Sequence, residues 1–116
     1  METYRQGEGQ LHQFTGTAPT TRTDGTPLAP GEIDHYVRFA AYRQPDGTWL
    51  APEEMDVQLV DGAFDEIVDI DALAVGYYEY YYQTVDTGGR HSVDSASVGF
   101  DVLAPLANPN PPTDIR

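Results

Sequence analysis

The sequence predicts an all-β domain in which about seven antiparallel strands form two packed sheets. Short apolar runs alternate with turn-forming pairs such as Asp24-Gly25, Pro30-Gly31 and Asp61-Gly62, a spacing typical of small sandwiches. In the run 76–86, tyrosines recur at every second position, which is the period of a strand and not of a helix. Glycines bracket this run, and aromatic residues lose rotamer freedom in a helix.

The elements follow one another with short connections. Residues 1–10 contain two glycines and are expected to form an arm or a stunted first strand. The domain proper is expected to span 11–103, and 104–116 a Pro-rich tail that is extended or disordered, because proline interrupts both helices and central strands. Strands are expected at 11–16, 33–42, 48–50, 55–60, 64–70, 77–85 and 95–102.

The tyrosine run also predicts which side chains face the core. Tyr78, Tyr80 and Tyr82 share one face of the strand and are expected to be buried, whereas Tyr77 and Tyr81 lie on the opposite face. Exposed tyrosines at i and i+4 are about 13 Å apart and can belong to one contact patch; a covering loop is the alternative. The residues expected between the two sheets are Phe14, Val68, Ile70, Tyr78, Tyr80, Val98 and Phe100.

The composition excludes several classes of function. Nineteen acidic residues stand against six basic ones, all of them Arg, which gives a net charge of −13. Such a surface repels phosphate backbones and anionic lipids, so neither nucleic-acid nor membrane binding is expected. The acidity is interpreted as solubility or as adaptation to high salt. The absence of cysteine excludes disulfides and thiolate metal sites. No secretory signal follows Met1, which favours a native start and cytoplasmic synthesis.

Candidate catalytic and metal-binding residues are sparse, and no enzyme activity, cofactor or metal is expected. His12, His35 and His91 are scattered, and the serines lack the turn of a hydrolase nucleophile. The acid-rich segment 61–71 invites a calcium interpretation, since calcium needs six to eight converging oxygens. Its acidic residues alternate with apolar ones, however, which favours the solvated face of a half-buried strand.

Two motifs resemble fibronectin type III domains of bacterial and phage proteins. The segment 17–28 with 32–36 is similar to the loop between their second and third strands, and 73–92 is similar to their penultimate-strand signature. The resemblance covers roughly 11–102. It implies an immunoglobulin-like sandwich in which Leu73 and Tyr78 form a corner that ties the linker to the sheets. The family often has Trp where this chain has Gly16, and Trp49 lies elsewhere, after a Pro-Asp-Gly turn.

The resemblance and the arms lead to two expectations for function. The first is a structural module of a virion, a capsid decoration or tail-associated protein made in the host cytoplasm. It would be homo-oligomeric or present in many copies in an assembly, and would bind capsid or tail subunits through Tyr77, Tyr81 and Trp49. The alternative is an extracellular carbohydrate-binding or spacer module of a secreted glycoside hydrolase or adhesin, with the same three rings as a stacking platform.

Overall fold

A computed structural model describes residues 2–116 and confirms the all-β class. The strands follow the expected order, although the first is only four residues long. Two short 3₁₀ helices span Pro30–Glu32 and Ile70–Ala72. The strands are β1 Glu2–Arg5, β2 Leu11–Gly16, β3 Ile33–Arg43, β4 Trp49–Val57, β5 Phe64–Asp69, β6 Gly76–Asp86 and β7 Val98–Leu103.

The strands form a five-stranded sheet in the order β1-β7-β6-β3-β4 and a two-stranded sheet of β2 and β5. The expectation of uniformly antiparallel pairing is wrong for one pair, because β1 runs parallel to β7, with Glu2 opposite Phe100 and Arg5 opposite Leu103. Parallel strands cannot be joined by a tight turn. β1 and β7 come from opposite ends of the chain, and the rest of the domain connects them. β1 leads through a glycine-containing turn into β2, which belongs to the other sheet.

The core lies between the two sheets and is unusually aromatic. Phe14 of β2 stacks on Tyr80 of β6 with ring centroids 4.7 Å apart. Phe100 of β7 is fully buried and stacks on Tyr78. The two-stranded sheet therefore packs on the inner face of the five-stranded sheet. The buried residues of this core cluster are Phe14, Leu28, Ile33, Tyr36, Val57, Val68, Ile70, Tyr78, Tyr80, Tyr82, Phe100 and Val102.

The corner at Gly16 is closed by a different aromatic ring. The Phe64 side chain lies over Gly16 and fills the space that any side chain there would need. It stacks on Tyr82 at 4.0 Å and meets Tyr36 edge-on at 5.2 Å. The absence of Trp at position 16 is thus compensated from the neighbouring strand, which pairs Gly16 directly with Phe64.

Three expectations about strands and burial are wrong. The segments 48–50 and 55–60 are one strand, β4, which ends at Val57 and tolerates Pro52 because it lies at the sheet edge. The last strand begins at Val98 and not at residue 95. Val98 is 47% exposed instead of buried. Among residues 2–116, the pairing of β1 with β7 begins at Phe100, so Val98 is paired only on its β6 side.

One pair of opposite charges lies between the sheets. Arg38 of β3 donates to Glu66 of β5 at 3.0 Å, and the hydroxyl of Tyr82 donates to the other carboxylate oxygen at 2.7 Å. The guanidinium also lies 5.2 Å from the ring centroid of Tyr80. Burial, together with the hydrogen bond to Glu66, raises the pKa of Tyr82 well above its usual value.

Candidate interaction surfaces

The tyrosines of β6 divide between the two faces of the five-stranded sheet. Tyr78, Tyr80 and Tyr82 face the core and are at most 7% exposed. Tyr77 and Tyr81 lie on the outer face and are half-buried. Period-two alternation along a single strand is sufficient to produce this division. The outer rings are therefore available only in part to a partner.

On the outer face, Trp49 and Tyr77 flank the side chain of Arg43. Cross-strand register places Arg43 opposite both residues, Trp49 on β4 and Tyr77 on β6. The guanidinium carbon lies 4.8 Å from the ring centroid of Tyr77 and 5.5 Å from that of Trp49. The two aromatic rings meet edge-on, with centroids 5.9 Å apart and planes at 84°. We call Arg43, Trp49 and Tyr77 the outer aromatic cluster.

Tyr77 is held by contacts on two sides. Its hydroxyl donates to Glu79 at 3.1 Å, and its ring lies across Gly99, where any side chain would collide with it. Burial, followed by the contact with Glu79, raises the pKa of Tyr77. A shallow groove of about 560 Å³ runs beside the ring, along the turn 44–47. Trp49 itself is 47% exposed.

Tyr81 belongs to the same face but to a separate contact. It stacks on Phe39 with ring centroids 5.0 Å apart and planes nearly parallel at 4°. It lies four residues beyond Tyr77 on β6, about 13 Å along a strand. The structure thus places the three predicted contact residues on one face, with Trp49 and Tyr77 touching and Tyr81 apart. Sequence reasoning missed Arg43 and Phe39, because their contacts depend on cross-strand register.

The residues expected to form a corner lie at the start of β6. The Tyr78 hydroxyl donates to the carbonyl of Ala74 at 2.7 Å, four residues upstream. Leu73 is half-buried against the core, and its carbonyl accepts from the Gln6 side chain at 2.6 Å. Burial raises the pKa of Tyr78 to about 12. These contacts tie the segment before β6 to the sheets and to the N-terminal turn.

A second surface, which we call the β2 groove, lies where β2 has no neighbour on its outer side. Its lining includes residues 14–17 and 21–24, together with Ser92, Val93, Ser95, Ala96 and Val98 of the segment before and at the start of β7, and the volume is about 990 Å³. Val93 and Val98 are exposed there, at 81% and 47%. The stunted first strand was the sequence signal for an open edge, but residues 92–98 had been expected to lie mostly within the last strand.

A buried carboxylate holds one end of this groove together. Asp86, only 5% exposed, accepts from the Arg22 and Arg90 side chains, both at 2.8 Å, and from the backbone N–H groups of Gly88 and Arg90. Arg22 also pairs with Glu32 at 2.9 Å. These contacts, that with Arg22 above all, lower the pKa of Asp86 far below its usual range. The cluster joins the loop before β3 to the turn after β6.

The remaining acidic side chains make local contacts. Within residues 2–116, no group of three or more His, Asp or Glu side chains is arranged to hold a metal ion. In the acid-rich segment, Asp65 accepts from Gln13, Asp69 from the N–H of Asp71, and Asp71 from the N–H groups of Gly7 and Gly9. These carboxylates therefore serve local backbone and side-chain contacts.

Each of the three histidines contacts a different set of residues. His12 stacks on Phe100 at 5.2 Å and contacts the Tyr4 hydroxyl, and burial lowers its pKa. His35 contacts Asp34, and His91 contacts Gln83.

In the described part of the chain, no helix has the length and apolar character needed to cross a membrane.

Comparison of the chain with protein-family models, with curated protein sequences and with solved structures finds no match.

Proposed function

We propose that this protein is a non-enzymatic, fibronectin type III-like module that binds neighbouring subunits in a virion, as a capsid decoration or tail-associated protein. The packing of a two-stranded on a five-stranded sheet supports an immunoglobulin-like sandwich. The hydrogen bond from Tyr78 to Ala74 supports it too, because the tyrosine corner of such folds ties a hydroxyl to backbone a few residues upstream.

The observation that carries the proposal is the C-terminal tail. Beyond Leu103 every residue is exposed, and no regular element forms. The radius of gyration is 19.3 Å, whereas a compact chain of this length has about 13 Å. Leu106 and Ile115 are 70% and 81% exposed. An extended arm with uncovered apolar side chains suits attachment to an adjacent subunit, where its ordering on binding costs entropy but adds contact area.

The outer aromatic cluster supports a second contact with a partner. Tyr, Trp and Arg are the residues enriched at the energetic centres of protein interfaces, because they offer large rigid area together with hydrogen-bonding groups. Here Arg43 is already held between Trp49 and Tyr77. This arrangement reduces the side-chain entropy that a partner would have to restrict on binding.

The carbohydrate-binding alternative receives less support from the same geometry. A sugar stacks on the open face of a flat ring, and the outer rings are not arranged as a common platform. Trp49 and Tyr77 are perpendicular, and the Arg43 guanidinium occupies the space over both. Tyr81 has one face covered by Phe39.

The test of this proposal measures whether the protein is a component of purified virus particles. An antibody raised against the recombinant protein is used to probe fractions of a caesium chloride gradient loaded with particles from the source culture. We expect the protein to band with intact particles in multiple copies per particle. Recovery only from the soluble lysate, or only from the secreted fraction, would contradict the virion proposal.

A fluorescence titration tests the alternative. Trp49 is the sole tryptophan, so its emission reports directly on any ring stacking. Cellohexaose, xylohexaose and chitohexaose are added to millimolar concentrations. We expect no saturable change in emission, whereas a saturable shift that Tyr77→Ala abolishes would favour the carbohydrate-binding function.

A further inference from the structure

The four free strand edges of the two sheets are not equally protected. Strand edges invite pairing with other chains, and proteins blunt them with charge, proline or short length. β4 carries Pro52 and three acidic residues, and β5 carries three acidic residues. β1 is four residues long and contains both a Glu and an Arg. β2, with the sequence LHQFTG, has neither a charge nor a proline.

The open edge of β2 faces the β2 groove with unpaired backbone groups. β2 pairs only with β5, and the N–H of Ile70 continues that ladder by donating to the carbonyl of Gln10. Because backbone groups alternate in direction along a strand, Leu11, Gln13 and Thr15 point theirs away from β5. Thr15 lies in the wall of the groove.

The β2 groove borders the part of β7 that lies beyond its pairing with β1. Among residues 2–116, that pairing runs from Glu2 opposite Phe100 to Arg5 opposite Leu103, and Val98, which lines the groove, lies outside it. A strand added in the groove would cover Val98, which is 47% exposed. The groove is therefore bordered by free backbone groups of β2 and by an exposed apolar side chain, the features that an added strand would cover.

The charge pattern of the chain points to an occupant. In a molecule of net charge −13, the two longest stretches without a charged residue are 9–21, which contains β2, and 102–113, which contains most of the tail. A second copy would normally be repelled by the acidic surface. These two uncharged stretches can meet without that repulsion.

Three of the four prolines of the tail are spaced as in an edge strand. Pro105, Pro109 and Pro111 occupy odd positions, and the residues between them at even positions, Leu106, Asn108 and Asn110, keep their N–H groups. In an extended strand the N–H and C=O groups of even residues point to one side and those of odd residues to the other. Residues 105–111 can thus hydrogen-bond along one side, while their prolines lie on the side that needs no donor; Pro112, at an even position, ends this pattern.

We propose that residues 105–111 of a second copy lie in the β2 groove and pair with β2 as an added strand. This deepens the proposed function, on which it rests, by naming one partner as another copy of the chain. The tail leaves its own domain just after Leu103, at the opposite end of β7 from Val98, where the Ala104 carbonyl still accepts from Arg5, and the molecule extends to 78 Å. The contact is therefore made between copies. Because the tail and the groove are different surfaces, the association is head-to-tail and forms rings or open chains.

The test is sedimentation velocity of the full-length protein over a wide range of concentrations in about 0.15 M NaCl, where charges are screened beyond about 8 Å. We expect a concentration-dependent series of oligomers, which a synthetic peptide of residues 104–116 added in excess converts to monomer. Asn108→Pro removes a donor on the pairing side and should weaken self-association at least about tenfold.

Ala107→Pro is the matched control, because it adds a proline on the side that already carries them. It should leave self-association nearly unchanged, and neither substitution touches the folded domain. A monomer at every concentration would overturn the proposal, as would equal effects of the two substitutions or oligomers that the peptide fails to dissociate. A monomeric protein that still bands with particles would overturn this inference and leave the proposed function standing.

Discussion

Replacing Phe100 by alanine removes the most enclosed ring of the core. The side chain has no exposed surface and is stacked between His12 at 5.2 Å and Tyr78 at 5.4 Å. Emptying a buried phenylalanine site costs about 3–5 kcal/mol of unfolding free energy. Each aromatic pair adds roughly 0.5–1.5 kcal/mol beyond its buried area, so we expect a loss in the upper half of that range. The surrounding rings come from strands of both sheets and can collapse only partly into the space.

Val98→Ala provides the control on the same strand. Val98 is 47% exposed and borders the β2 groove, so its truncation should cost about 0.5 kcal/mol or less, as surface substitutions usually do. Urea denaturation followed by far-ultraviolet circular dichroism at 25 °C measures both variants, with the midpoint compared at a constant m value. A loss below about 1 kcal/mol for Phe100→Ala, or equal losses for the two variants, would refute the burial of this ring and its enclosure by two stacked neighbours.

Three further predictions concern charge and ionisation. If the net charge of −13 reflects adaptation to brine, the melting temperature should rise between low and molar NaCl, and a flat response would contradict that interpretation. Arg22 and then Arg90 lower the pKa of Asp86, so its stabilisation is complete above about pH 4 and is lost as the pH falls through the folded value. Asp86→Asn should therefore lower the melting temperature at pH 7 but make it less sensitive to acid, and parallel pH profiles would argue against this. Burial raises the pKa of Tyr78 to about 12, so its stabilisation as a neutral phenol is present below about pH 10 and is lost as the pH rises towards 12. In an absorbance titration at 295 nm, Tyr78→Phe should remove amplitude above about pH 11 only, and a loss near pH 10 would show that the phenol is exposed.

Local sequence patterns were sufficient to predict the central elements. β2 begins and ends where its apolar run and Gly16 indicated, and β6 follows the tyrosine run from Gly76 to Asp86. Both depend on a period of two and on turn residues, which act within a few positions. The parallel pairing of β1 with β7 could not be predicted in this way, because it joins residues nearly a hundred positions apart.

The outer face shows the same limit at the level of side chains. Alternation along β6 placed Tyr77 and Tyr81 together on one face, as the structure has them. Their different neighbours, Arg43 and Phe39, are set by the register between β3 and β6. A register shift in the pairing of β3 with β4 then brings Trp49 opposite Arg43. An irregularity of this kind leaves no signal in the pattern of a single strand.

The ion pair between the sheets explains how the two layers keep their alignment. Along β5, Glu66 lies between the inward residues Phe64 and Val68, and along β3, Arg38 lies between Tyr36 and Ala40. Period two therefore places one acidic and one basic side chain on the two facing inner surfaces. Aromatic rings pack in several alignments at similar cost, but a buried carboxylate without its partners is strongly unfavourable. Sliding β5 by two residues would separate Glu66 from both Arg38 and Tyr82, which now occupy its two oxygens. The pair thus selects one alignment of the layers, and with it the position of the open β2 edge relative to β7.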